Sequence, residues 1–214
     1  MNLDEIRNEV IGIVQDQSFD PDQVTGYINE ALRRCAGMVD IPEHKRVATV
    51  LTATDKAYIS LADQIDHFGG RVRRAKCDGA DLRIYESLDQ LMDDYDMDEE
   101  GDLAGVALEG RTLWYQKIPE TATSILLLCF VNPEPLSRSN PEATWMPEHL
   151  HRDILVNGAA SYIWDQIEDE DSNKPMTKDY FKKAFGTHNT SGVMQLRAWI
   201  ARERSSIGYS CWRY

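Results

Sequence analysis

Two proline-marked boundaries, at Ile41-Pro42 and at Pro133, most constrain what this chain can fold into, because the spacing of apolar residues changes character at each. Before the first, Leu3, Ile6, Val10 and Ile13 with Val14 recur at helical spacing. "SFDPDQ" interrupts that stripe and offers a new helix start: Asp20 as N-cap, Pro21 at the first helical position, Gln23 at the capping-box position. Val24, Ile28, Ala31 with Leu32, and Cys35 carry a second stripe. The first forty residues therefore read as a helical hairpin.

Between the boundaries the pattern shortens to strands. "RVATVLTATDKAYISL" is rich in Val, Thr, Tyr and Ile. "RVRRAKCDGADLRIYES" places two strand-like runs around Asp78-Gly79, a pair suited to a tight turn that needs positive φ. "GVALEGRTLWYQKIP" repeats the scheme at Glu109-Gly110, and "SILLLCFV" reads as a buried strand. One short helix is expected at "SLDQLMDDY", with Ser87 as cap and Leu88, Leu91 and Met92 inward. After Pro133 helical spacing returns: Leu150, Ile154 with Leu155, Gly158 with Ala159, and Tyr162 with Ile163. An acidic turn, "DQIEDEDSNKP", follows. A final helix is expected from near Thr177 to about Arg204, weakened by "GTHNTSG".

Helices, then strands, then helices define an α+β chain. The simplest arrangement is a helical bundle made by both chain ends (1–40 and 133–204), an antiparallel β-rich insertion (41–132) and a C-terminal extension (205–214).

"TWMPEHLHRDIL" crowds Glu148, His149 and His151, residue types that can carry acid–base or metal chemistry, into four positions. On a helix, His149 and His151 point about 200° apart, so a regular helix cannot aim both at one ion. A zincin helix needs His at i and i+4. Met146-Pro147-Glu148 reads instead as a helix entry, with Glu148 favourable to the dipole. "DYDMDEEGD" alternates acids like a calcium loop, but an EF-hand needs Gly at its sixth position and Glu at its twelfth. Those positions hold Glu99 and Gly105, so it reads as a solvated acidic loop. No G-x-S-x-G elbow, P-loop or G-x-G-x-x-G fingerprint occurs. Cys35, Cys77, Cys129 and Cys211 form no C-x-x-C pair and read as small core residues or free thiols of a reducing compartment.

The formal charge of -13 argues against a basic nucleic-acid binder. "RVRRAK" (residues 71–76) is the one dense basic cluster. Regular alternation would put Arg71, Arg73 and Ala75 on one face and Val72, Arg74 and Lys76 on the other. Such a strand reads as a charged edge or as a contact to an acidic neighbouring subunit, with DNA contact the weaker reading. Residues 174–214 hold eight basic and two acidic residues, a net of +6 that leaves −19 on the rest. A basic end and an acidic body suit head-to-tail contacts between copies. The N-terminus reads as lacking a signal peptide, and "ILLLCFV" is too short to span a bilayer.

The order of these features resembles the head-to-tail adaptor (connector, head-completion) proteins of tailed bacteriophages. "RRCAGMVDIP", "LEGRTLWYQKIPETATSILLLCFVNPEPLS", "WMPEHLHRDILVNGAASYIW" and "YFKKAF" carry the resemblance. Within them Tyr115 to Pro119, Phe130 to Leu136, and Met146 to His149 (with Leu150 and His151) fit the family's hairpin and helix-entry pattern. The resemblance implies a non-enzymatic virion protein of the head–tail junction, present in host cytoplasm during assembly, without cofactor, metal or membrane. It implies a homo-oligomeric ring, commonly of twelve copies, beneath the portal protein. The ring would extend a channel through which DNA passes without specific binding, and offer a platform to tail or nozzle proteins. C-terminal segments of such adaptors reach the portal; here the docking candidates are Ile207, Tyr209, Trp212, Arg213 and Tyr214. Another virion ring, such as a stopper or tail-terminator, is the nearest alternative. A metal-dependent enzyme using Glu148, His149 and His151 is the more distant one.

Overall fold

A computed structural model describes residues 1–16, 18–168 and 173–206. The chain divides into two compact units, Met1–Asp40 with Pro133–Tyr214, and Ile41–Asn132. The fold is mixed α+β.

In the first unit, α1 (Leu3–Val14) starts with a reciprocal cap. Glu5 N donates to Asn2 Oδ1 at 3.0 Å, and Asn2 N donates to Glu5 Oε2 at 2.8 Å. The second helix, α2 (Pro21–Met38), starts at Asp20, whose Oδ1 accepts from Asp22 N at 2.8 Å. Gln23 Oε1 accepts from Asp20 N at 3.2 Å, and Pro21 sits at the first helical position. At the other end of α2, Arg197 Nη2 donates to Met38 O at 2.7 Å, satisfying a carbonyl the helix leaves open.

After Pro147 one continuous helical rod runs through α4 (Glu148–His151), a π-helical segment (Arg152–Val156) and α5 (Asn157–Ile167); α3 (Leu88–Asp94) belongs to the other unit. In the π segment Ile154, Leu155 and Val156 are all buried, and Asn157 N bonds back to Arg152 O across five residues, the wider bond that defines a π turn. Gly158 then lies against α2: a Cβ there would stand 2.7 Å from Ala31 Cβ and 2.9 Å from Phe185 Cζ.

The expected final helix is two helices, α6 (Pro175–Phe185) and α7 (Gly192–Ser206). The break has two causes. A Cβ at Gly186 would meet Lys182 O at 2.5 Å, and one at Gly192 would meet Ile154 Cγ1 at 2.5 Å. Glycine at both ends of "GTHNTSG" thus lets the chain turn tightly and lets α7 start close to the π segment. The N-terminus of α6 is held by Glu168, whose Oε1 accepts from Met176 N at 2.9 Å and whose Oε2 accepts from Thr177 N at 3.0 Å. Part of the acidic turn, residues 169–172, lies outside the described residues.

The second unit is a curled seven-stranded sheet in the order β1-β7-β3-β4-β5-β6-β2. Its strands are β1 (Lys45–Leu51), β2 (Tyr58–Ser60), β3 (Phe68–Cys77), β4 (Ala80–Tyr85), β5 (Gly105–Glu109), β6 (Thr112–Tyr115) and β7 (Ser124–Val131). Asp78 (φ 49°) and Gly79 (φ 83°) both take positive φ at the β3–β4 turn, as the Asp-Gly pair requires. All pairs are antiparallel except β4–β5. That parallel pair exists because α3 (Leu88–Asp94) carries the chain across as a crossover. Ser87 caps α3, accepting from Gln90 N at 3.3 Å, and Leu91 is fully buried. Met92, expected inward, is 57% exposed, because it follows Leu91 by one residue and so turns off the buried face.

Val50 from one edge strand and Ile59 from the other join Phe68, Leu113, Tyr115 and Leu127 in a single apolar cluster. Gln116 secures the base of that cluster. Its Oε1 accepts from Gly105 N, and its Nε2 donates to Asp102 O at 2.9 Å.

Candidate functional site

The most distinctive surface of the described residues is the outer face of β1, β7 and β3. Cross-strand register builds it in three rows: Lys45–Phe130–Arg71, Val47–Leu128–Arg74, and Thr49–Leu126–Lys76. Two register shifts in β3, between Phe68 and Arg71 and between Val72 and Arg74, create the basic column. Simple alternation of "RVRRAK" is thereby overturned. Val72, Ala75 and Cys77 turn to the apolar cluster, Arg71, Arg74 and Lys76 share the outer face, and Arg73 is the bulged residue. Burial decides this: Ala75 is fully buried and Cys77 nearly so, and no unbulged register buries Val72 with both.

The face is apolar on the β1 side and cationic on the β3 side. Val47 is 64% exposed, Leu51 56% and Leu126 44%. Arg71 lies over the Phe130 ring, 4.9 Å from its centroid. Arg74 forms a two-pronged ion pair with Asp81 on β4, Nε to Oδ1 and Nη2 to Oδ2, both at 2.8 Å. That pair lowers the Asp81 carboxyl below its ordinary value and raises Arg74, chiefly through the hydrogen bonds.

β1 is also an edge strand. The amide of Gln64 caps one end of that edge: Leu51 N donates to its Oε1 at 2.8 Å, and its Nε2 donates to Leu51 O at 3.0 Å. The Arg46 guanidinium covers the other end, donating to Lys45 O at 3.2 Å. Residues of the same parity between them, Val47 and Thr49, turn their backbone groups to a side with no neighbouring strand among the described residues.

A second feature of the same unit is acidic. Residues 88–102 contain eight carboxylates and no Lys or Arg. Met92, Asp93, Asp94, Tyr95, Asp96, Met97 and Asp98 line an open hollow of about 520 Å³. Arg83 pairs with Asp94 at 3.3 Å and Lys117 with Glu99 at 2.8 Å, which leaves most of the carboxylates facing water.

The Glu148–His149–His151 group does not assemble. His149 is exposed, whereas His151 is 3% exposed. His151 Nε2 faces two carbonyl oxygens, Ala143 O at 3.2 Å and Met146 O at 3.1 Å, and so is a donor. Its Nδ1 lies 3.2 Å from the Met1 nitrogen. Both ring nitrogens are thus spent on main chain, and the side chain fastens the 143–146 turn to the helix entry. Among the described residues no three His, Cys, Asp or Glu side chains gather with metal-holding geometry. Cys35, Cys77 and Cys129 are buried free thiols, and burial pushes Cys35 up to about 12. No described helix is long and apolar enough to cross a membrane.

The basic C-terminal charge is partly spent inside the unit. Lys174 pairs with Asp165 at 2.9 Å, Lys183 with Asp179 at 2.6 Å, and Arg197 holds Met38 O. The docking candidates Ile207, Tyr209, Trp212, Arg213 and Tyr214 lie outside the described residues.

An α+β chain with an exposed apolar strand pair beside a basic column has a surface of the kind that assembly proteins use. The chain belongs to the SU10 adaptor protein family, whose family model matches residues 1–205. This is a phage head–tail adaptor-type family, so membership implies a structural, usually non-enzymatic virion protein that associates with portal and tail proteins. No curated protein matches the chain.

Proposed function

We propose that this chain is a head-to-tail adaptor whose copies, twelve in number, form a ring beneath the portal. The ring extends the DNA channel and offers a platform for tail or nozzle proteins. The observation that carries the reading is the family match over residues 1–205. The bundle of 1–40 and 133–204 is the body in this reading, and 41–132 is its β-rich insertion. Residues 205–214, all but the first beyond the family match, dock on the portal through Ile207, Tyr209, Trp212, Arg213 and Tyr214. Their aromatic and Arg content suits interface anchoring. The acidic segment 88–102 suits a wall past which DNA slides, because like charge prevents sticking. Assembly from host cytoplasm completes the picture.

Electron cryomicroscopy of the intact particle tests this. Twelvefold density for this chain directly under the portal is expected. Density further down the tail would make it a stopper or tail-terminator. Deleting 205–214 should abolish portal binding and spare folding; normal docking of the truncated chain would refute the tail assignment.

A further inference from the structure

We propose that the open edge of β1 is a strand-addition site, and that its occupant is an extended segment of a tail-side protein, apolar at every second residue. The inference rests on the adaptor reading above and names the place where tail or nozzle proteins grip this chain. One end of the edge already shows what it is built to hold. The Gln64 carboxamide exchanges two hydrogen bonds with the main chain of Leu51, accepting from its N–H at 2.8 Å and donating to its C=O at 3.0 Å. A residue of an antiparallel partner strand makes that same pair of bonds. A peptide-like group therefore stands where a further strand would run. Thr49 and Val47 follow at the same parity, both exposed, with no strand beside them among the described residues. A strand of about five residues, its first peptide group replacing the Gln64 carboxamide, would satisfy all three positions.

Side chains select the composition of that strand. Val47, Leu51 and Leu126 are exposed apolar groups on the outer face beside the edge. Paired strands lie about 4.8 Å apart, so every second residue of the newcomer would rest against Val47 and Leu51. Carbonyl acceptors and apolar side chains offer nothing to a phosphate backbone. Other polypeptides fit less well. Two β1 edges paired with each other make a two-fold dimer, and a cyclic ring on one axis has no place for it. The opposite edge of the sheet, β2, is three residues long, and its Tyr58 carbonyl already accepts the Tyr115 hydroxyl at 3.3 Å. The portal is met by residues 205–214 in the reading above. A tail-side segment remains.

Electron cryomicroscopy of the intact particle tests this. An extra strand from a tail-side protein paired along residues 47–51, with the Gln64 side chain turned away from Leu51, is expected. A bare edge, or a strand supplied by a second copy or by the portal, would overturn the proposal. Thr49→Pro gives an independent readout. It removes an outward N–H and leaves the β7 bonds of Ala48 and Val50 in place, so the full chain should fold. Particles assembled with it should keep this chain on the head and join tails about tenfold less often. Val47→Glu alters no backbone group and sets a charge against the incoming strand, so it should act alike; tail joining at the wild-type rate by either folded variant would also overturn strand addition. Density for this chain away from the portal would sink the adaptor reading, whereas a ring beneath the portal with β1 bare would sink this inference alone.

Discussion

Replacing Gly158 with Ala should destabilise the helical unit, although Ala is the better helix former. The perturbation adds one methyl where the space is already taken: 2.7 Å from Ala31 Cβ and 2.9 Å from Phe185 Cζ. Ordinary carbon contacts lie near 3.5–4.0 Å. Phe185 can swing its ring, but Ala31 Cβ is fixed to the α2 backbone, so the helices must part by several tenths of an ångström. Overpacking of this kind costs about 1–3 kcal/mol, and the propensity gain of Ala over Gly returns about 1 kcal/mol. The net expectation is a loss of up to about 2 kcal/mol, seen in urea as a midpoint lowered by up to about 1 M. Gly12→Ala is the matched control. It sits within α1 with nothing inside 4 Å of the added methyl, so it should raise stability by about 0.5–1 kcal/mol. Far-UV circular dichroism reads both. Ala31→Gly placed on Gly158→Ala should recover part of the loss, giving a non-additive double-mutant cycle. A Gly158→Ala midpoint above wild type, or strict additivity with Ala31→Gly, would show that α2 and α5 do not cross at these residues.

Three further outcomes are expected. Gln64→Ala removes both clamps on Leu51, so the Leu51 amide should lose its hydrogen-exchange protection, at a cost of about 1 kcal/mol in stability; an unchanged exchange rate would mean the edge is closed by other means. Glu168 titrates below its ordinary range: desolvation would raise it, but the Thr177 and Met176 amides, the Thr177 hydroxyl and Lys174 outweigh that. Since the folded pKa is depressed, its capping of α6 is fully present above the unfolded value near 4.3 and is lost as pH falls through the folded value. Carboxyl NMR shifts should show the depressed titration, and Glu168→Gln should flatten the acid limb of the stability curve. His151→Ala removes the buried donor of the Met146 carbonyl, while Ala143 O keeps the Met146 amide at 2.9 Å, and should cost about 1–3 kcal/mol. Added zinc should leave the wild-type melting temperature unmoved; a zinc-dependent rise abolished by His151→Ala would revive the metal reading.

Much of the local structure was legible because short-range rules decide it. The Asp20–Pro21–Gln23 start, the Ser87 cap and the Asp78-Gly79 turn depend on residues within four positions of one another. The mixed α+β class followed from two changes of apolar period, and the phage-adaptor resemblance agrees with the family match. What escaped depends on distant contacts. The π segment packs against α2, α6 and α7, neighbours that its own residues do not announce. The parallel β4–β5 pair needs α3 to act as a crossover, although each strand is by itself compatible with either direction. Glu148 and His151 looked like chemistry because proximity in sequence was visible and the two carbonyls awaiting the imidazole were not.

The basic face was missed for a reason the sequence does contain. Taken two by two, "RVRRAKC" puts an arginine on each side of the strand, and a curled sheet with one buried face cannot hold that arrangement. Its small and apolar residues stand at Val72, Ala75 and Cys77, spaced three and then two. A strict period of two cannot bury all of them; one extra residue between Val72 and Ala75 can. The bulge at Arg73 supplies it, and in doing so sends Arg71, Arg74 and Lys76 to one side. The insertion that rescues the core therefore also concentrates the positive charge. Deleting Arg73 takes out the extra residue: Val72 and Arg74 then stand opposite consecutive β7 residues, Cys129 and Leu128, so the chain should stay folded with Val72, Ala75 and Cys77 still inward and Arg74 and Lys76 still outward. A ΔArg73 chain whose β3 and β7 amides lose their hydrogen-exchange protection would show that Arg73 is not the extra residue and that burial of Val72, Ala75 and Cys77 does not set the register of β3.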